Sequence, residues 1–454
     1  MFKPLVYLST FTLSLISLLP LFIPDSLIYV LGFYGIITLL VLVLKKDFAL
    51  NLVFLFIFAG TLFSLDIGFT FKTSQFFVLI TILSMLISYL NGNDNFNKFS
   101  WREYFPFILY ILLILPSLCT PLFFSEDYET VDSLKILFNY LFLQLICFVI
   151  SLNLTNRSKI YNAIKYSFFS YILVLIFGIL QQIGYYSGFY DPNDYLGNHS
   201  LFVDFYGPFL RISPGTFANE FGEIIQSILI FISTYLIFMK KELNLKNKFL
   251  LKSTLFISIL ALIINFTRAS WIAYIFYLIC IFFISKPKIK TKALIIGIVS
   301  IFVLSVYYIN LETNILSVVP ILDRISELSD LSDSSAGSRL ETWEISYNLF
   351  LNKPLIGNGL GVATVTHNVP LQLLAETGII GFLGFYFLMF YLLHKFYRMS
   401  KLTKDNFLKT TSISVFFIII GCLVFDFTNH GIYHFVLWLS IGIGLATEKV
   451  IKQI

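Results

Sequence analysis

Apolar runs of about 18 to 20 residues recur along the chain, each closed by a polar connection, and this alternation is its strongest signal. The runs predict membrane-spanning helices at 5–23, 26–44, 48–65, 74–91, 104–122, 134–153 and 163–184. Seven more follow at 218–239, 250–267, 269–285, 293–311, 377–397, 408–425 and 432–449. The last pair before 293 makes one apolar stretch of about 36 residues, too long for a single crossing of roughly 20, so it is divided in two. The pattern defines an all-α, polytopic transmembrane helix bundle of about fourteen helices.

Most polar connections are short, and two are not. The first, 185–218, carries DPND, NHS and GPFLRISPGTF; the second, 312–376, is the longest polar segment. They divide the chain into N-terminal helices (1–184), central helices with the first loop (185–311), a large loop (312–376) and C-terminal helices (377–454). Within the large loop, Ser338 stands three residues before Glu341, a capping-box spacing. It predicts a helix of about fifteen residues with Leu340, Trp343, Tyr347 and Leu351 on one apolar side, lying in the membrane interface. The chain then turns through KPLIGNGLG, and a second short helix is predicted near His367-Asn368, with Pro370 in its first turn.

Composition agrees with this reading: 57% of the 454 residues are hydrophobic, 13% are charged, and mean hydropathy is +0.85. A soluble chain could not bury so much apolar surface. The stretch 1–23 lacks a small-residue cleavage site and is read as a retained anchor. Charge placement sets the orientation. With both termini cytoplasmic, the outward connections keep only seven of the 31 basic residues: Lys72, Lys135, Arg211, Arg268, Arg324, Arg339 and Lys353. The same side holds 20 of the 26 acidic residues. Cys119, Cys147, Cys280 and Cys422 form no CxxC and read as small packing residues. Neither a metal site nor a nucleic-acid-binding stripe is indicated, and no cofactor is expected.

The spans show no carboxylate or histidine near a predicted bilayer centre, so candidate chemistry lies on the outward face. Arg211, Arg268 and Arg339 come from three distant outward segments, and guanidinium groups favour bidentate binding of phosphate oxygens. Converging, they suit a pyrophosphate; taken singly, each is better explained by a nearby carboxylate or a lipid headgroup. His367 precedes a predicted helix, whose dipole disfavours imidazolium and leaves a ring able to accept a proton. The plainer alternative is a capping or loop histidine. GNGLG at 357–361 has no βαβ context and reads as a tight turn, not a nucleotide site.

Two runs, GSRLETWEISYNLFLNKPLIGNGLG and HNVPLQLLAETGIIGFLGF, resemble the O-antigen ligase and O-antigen polymerase superfamily. RISPGTFANE and FTRASWIA are similar to that family's first loop and Thr-x-Arg turn, and the resemblance covers roughly 205–390. It implies a fold like that of the C-type glycosyltransferases. The implied reaction moves a glycan from an undecaprenyl-diphosphate-linked oligosaccharide donor to an acceptor, a glycan or lipid-linked hydroxyl. It takes place outside the cytoplasm, at the bacterial inner membrane, without a metal. In that frame Arg211, Arg268 and Arg339 hold the donor diphosphate, His367 orients or deprotonates the acceptor hydroxyl, and Asn368 and Glu376 support the short helix. Membrane lipids and a chain-length regulator protein are the further implied partners. GTFANE departs from the family's usual first loop, which leaves Asn219 and Glu220 without roles.

Three functions follow. A polymerase joins lipid-linked repeat units; a ligase transfers the finished chain to lipid A core; a flippase moves the lipid-linked oligosaccharide. The acidic outward face slightly disfavours a heavily phosphorylated core as acceptor, and the internal repeat and charged cavity of a flippase are not visible.

Overall fold

A computed structural model describes residues 46–58, 64–66, 70–90, 101–120, 130–189, 205–206, 209–212, 214, 218–239, 242–284, 334–363, 366–429 and 435–454. The expected spans 5–23, 26–44 and 293–311 lie outside them, as do residues 312–333 and most of the first long loop. The helices are α1 Lys46–Phe56, α2 Thr73–Leu90, α3 Trp101–Ile114, α4 Thr130–Asn153, α5 Arg157–Tyr186 and α6 Ala218–Phe238. They continue as α7 Leu245–Ile264, α8 Arg268–Ile284, α9 Ser334–Asn352, α10 Val369–Leu402, α11 Asn406–Asp426 and α12 Phe435–Gln453. Two minimal antiparallel pairs accompany them: β1 Ser64–Asp66 with β2 Thr70–Lys72, and β3 Phe205–Tyr206 with β4 Phe209–Leu210. Six helices, α4 (from Ser133), α5, α6, α7, α10 and α11, are long and apolar enough to cross a membrane, as a multi-pass membrane protein requires. Of the about fourteen spans expected, eleven fall on described helices: these six, the shorter apolar helices α1, α2 and α8, and α3 and α12.

Two compact units divide the chain. In the first, α1 packs on α2 and α5, with Phe56 stacked on Phe77 at 5.2 Å and Phe58 edge-on to Tyr171 at 6.2 Å. Asn156 caps α5 by accepting from Lys159 N, and the Lys159 ammonium reaches Asp47 of α1 at 2.7 Å.

The second unit carries the site. Its axis is α11, which packs against α6, α8, α10 and α12; α10 also packs against α3 and α9. Surrounded by protein rather than lipid, α11 gains from close packing more than from leaving water. Its hydroxyls find partners within the same helix or across the seam: Thr411 donates to Phe407 O at 2.9 Å and meets Tyr235 of α6 at 2.7 Å. Far along α10 from its N-terminus, buried Lys395 pairs with buried Glu448 at 2.8 Å, and Glu448 also pairs with Lys452 at 2.8 Å.

Several expectations need correction. The span 48–65 is a helix only to Phe56, and 64–66 is strand. The span 104–122 is interrupted after Ile114, where Pro116 enters a 3-10 turn, Leu115–Leu118, before residues 119–120 are helical again. Ser338 does not cap a helix, because α9 already begins at Ser334. The expected short helix and span 377–397 are one element, α10, broken only at Gly378. The division at 265–269 is observed: α7 ends at Ile264 and α8 starts at Arg268, with Phe266 at φ 56° in the turn.

Candidate functional site

The stretch KPLIGNGLG docks onto the break in α10. At Gly378 (φ 63°, ψ −170°) the helix loses the two bonds that Ile379 N and Ile380 N would make to the carbonyls of Ala375 and Glu376. The loop replaces both. Ile379 N donates to Pro354 O (2.9 Å) and Ile380 N to Leu355 O (3.3 Å), while Asn358 N donates to Ala375 O (2.9 Å) and Gly359 N to Glu376 O (3.0 Å). Only glycine fits at either contact: a Cβ on Gly357 (φ 75°) would come within 2.5 Å of Thr377 N, and one on Gly378 within 2.6 Å of Ile356 N. Thr120 and Ser133 secure the same loop by donating to Gly357 O (2.9 Å) and Leu360 O (2.8 Å).

The loop delivers His367 to the start of α10. His367 has φ 50°, a left-handed conformation that costs about 1–2 kcal/mol in a non-glycine residue and is held only by its neighbours. On one side Thr366 bonds Ser346 of α9 at 2.6 Å. On the other, Asn368 caps α10 by accepting from Leu371 N (2.9 Å) and donates through Nδ2 to Phe427 O at the end of α11 (3.0 Å). Glu376, fully buried, accepts from Gln372 Nε2 (3.0 Å) and Ala363 N (3.4 Å), tying the loop to the helix.

The His367 ring is half-buried. Burial, and then the positive charge of Arg339 on α9, lower its pKa below the usual 6.5, against the neighbouring Asn429 side chain, which favours the protonated form. The ring is therefore neutral at pH 7. Asn429, two residues beyond the Phe427 that Asn368 holds, is only 2% exposed. Ser346 is the buried residue of α9, with Arg339, Thr342, Trp343, Leu349 and Phe350 half-buried beside it; Leu340, Tyr347 and Leu351 face outward at 46%, 50% and 54% exposure. The apolar face expected at the interface is thus the face left open.

Arg211 and Arg268 meet at a second place, the α7–α8 turn. Arg211, 8% exposed, donates from Nε to Asn265 O (2.9 Å) and from Nη2 to Thr267 Oγ1 (2.9 Å) and Asn219 Oδ1 (3.2 Å). Asn265 Nδ2 in turn donates to Ile212 O and Ala218 O, both at 2.8 Å. Arg211 thus fastens the turn to the start of α6, and Asn219, without a role in sequence, is part of the fastening. Arg268, half-buried, is the first residue of α8 and follows Thr267 directly.

Buried polar groups on α6 and α11 lie between the two places. Gly222 of α6 packs on the Asn265–Ser270 turn; one residue on, the Glu223 carboxyl is a hydrogen-bond partner of the Cys422 thiol on α11. Asp426, one turn beyond Cys422, ends α11, and Phe427 and Asn429 lead to His367. Glu223 and Asp426 are fully buried. Sequence reading missed Glu223, Asp426 and Asn429. The first two fall within or at the edge of apolar runs, and for Asn429 the polar FDFTNH that interrupts the hydropathy was the available signal.

Residues 253–386 match the family described as O-antigen ligase. That match supports the O-antigen ligase and polymerase superfamily, and its bounds enclose Arg268, Arg339, His367, Asn368 and Glu376 but not Arg211 or Asn429. No curated protein matches the chain.

Proposed function

We propose that the chain is a surface-polysaccharide polymerase that extends undecaprenyl-diphosphate-linked glycans on the outward face of the inner membrane, without a metal. The reading is carried by one observation: a strained, neutral histidine next to an arginine, at the start of a broken membrane helix. The acceptor hydroxyl attacks the anomeric carbon of the donor sugar. His367 takes the hydroxyl proton, a new C–O bond forms, and the bond from sugar to diphosphate breaks. Arg339 and Arg268 bind the diphosphate and stabilise the charge it gains on leaving. Arg211 keeps the turn that presents Arg268, and Asn368 and Glu376 keep the His367 turn on α10. The lysine distribution supports an outward site, because the arginines left on that face stand against the positive-inside bias.

The description of the matched family favours a second reading, a ligase that transfers the glycan to lipid A core. One experiment separates them. Purified protein in bilayers receives a lipid-diphosphate-linked repeat unit, alone or with lipid A core, and products are resolved by gel. A ladder from the repeat unit alone is the polymerase result; product only with core is the ligase result. Unchanged yield in both His367→Ala and Arg268→Ala would remove the site assignment.

A further inference from the structure

Resting on the reading of His367 as the base, we propose that Asn429 is a positioning residue: its Oδ1 accepts from Nδ1–H of His367 and leaves Nε2 as the nitrogen that takes the proton. Three observations carry this. First, the Asn429 side chain lies close enough to the ring to shift its titration, both His367 Nδ1 and Asn429 Oδ1 are closed to solvent, and no other group donates to Asn429 Oδ1. An amide oxygen only accepts, so the pair is satisfied when Nδ1 carries the hydrogen. Second, the two residues are held in register by backbone on both sides. Asn368, next to His367, bonds Phe427 O; the turn that follows α11 is closed by Phe427 N to Val424 O (3.4 Å) and Thr428 N to Phe425 O (3.1 Å). Third, His367 has a left-handed φ of 50° and precedes the Asn368 cap, so it stands outside α10 and its ring is not fixed by the helix backbone. In a neutral imidazole the hydrogen bond at one nitrogen decides what the other can do.

The charged groups on the elements packed around this turn are Arg339, Glu341 and Glu344 on α9, Glu376 near the start of α10 and Asp426 at the end of α11, the other charges of α10 and α11 lying toward their opposite ends. Of these, Arg339 acts on the ring and opposes its protonation. Asn429 supplies direction without adding a charge that would protonate the base. A carboxylate in its place would hold the ring equally well and leave it charged.

The test uses full-length protein in bilayers with 15N-labelled histidine; the His367 resonances are identified by their loss in His367→Gln. Wild type is expected to show the Nδ1–H tautomer at pH 7.5, and Asn429→Ala a mixture of tautomers. Asn429→Ala should lower kcat about 10- to 100-fold with KM little changed, the range typical of an orienting partner. Asn429→Asp, nearly the same shape, should raise the His367 titration by about 1–3 pH units and move the acid limb of the rate profile with it. An Nε2–H tautomer in wild type overturns the proposal, since it places the amide NH2 against Nδ1. So does a tautomer unchanged in Asn429→Ala together with a titration unchanged in Asn429→Asp. An Nδ1–H tautomer alongside full activity of His367→Gln would instead sink the base reading, so the two failures are distinct.

Discussion

Gly357→Ala tests whether the site depends on the backbone contact between the GNGLG loop and the broken helix. The new methyl group would adopt φ 75°, costing about 1–2 kcal/mol. It would also stand 2.5 Å from Thr377 N and nearer still to Glu376 O, where ordinary contact begins at 3.4 Å. The loop must withdraw by about 1 Å, which takes the bonds from Asn358 N and Gly359 N beyond hydrogen-bonding range at about 1 kcal/mol each. The expected loss is thus about 3–4 kcal/mol, with His367 displaced; misplacement on the scale of 1 Å can cost about 100-fold in rate. Gly188→Ala is the control, because Gly188 has nearly the same φ, 74°, with nothing within 4 Å of its added methyl. It should lose only the conformational part. Thermal unfolding in detergent and the repeat-unit ladder assay measure both quantities. Equal stability and equal activity in the two variants would refute the argument that close approach holds the site.

The pH dependence follows from His367. Its folded pKa is below 6.5, so the neutral base persists at neutral pH and is lost as pH falls through that lowered value; the acid limb of the rate profile should lie below pH 6.5. Arg339→Gln removes one of the two lowering causes and should move the limb upward; a limb that stays in place would separate Arg339 from the ring. Arg211→Lys keeps the charge but loses the fork that serves Asn265, Thr267 and Asn219, so stability should fall by about 2–3 kcal/mol; an unchanged unfolding midpoint would contradict this. Glu448→Gln should destabilise more than Lys395→Met, by up to about 3–5 kcal/mol, because it strands the buried Lys395, whereas Glu448 retains Lys452 when Lys395 is lost; reversed order in unfolding curves would count against the pair.

The parts of this architecture legible in sequence are the local ones. The start of α10 follows from Asn368 and Pro370, whose capping and ring geometry act within one turn. The division between α7 and α8 follows from span length. Ser338 misled because a good cap spacing does not prevent a helix from starting earlier, at Ser334. The amphipathic character of α9 was readable, but its docked side was not: the bond between Ser346 and Thr366 turns Ser346 inward and leaves Leu340, Tyr347 and Leu351 outward. The contact between His367 and Asn429 joins residues on separate elements and has no local signature. Glu223 and Asp426 were hidden because hydropathy sums over a window and one carboxylate barely lowers the total. The match to residues 253–386 likewise stops before Asp426 and Asn429.

The exchange at Gly378, in which two bonds within α10 give way to four between α10 and the loop, also works as a key with a fixed number of teeth. Every tooth is a peptide group, so the side chains of Leu355 and Ile356 can be rewritten without changing the lock, whereas Gly357 and Gly359 (φ 111°) and the Asn358 amide, which donates to Leu349 O and Ala375 O, cannot. Chain length there cannot: one residue added or removed between Pro354 and Gly359 would misalign the donors and acceptors. Such a joint lets sequences drift far apart while His367 stays at the same height on its helix.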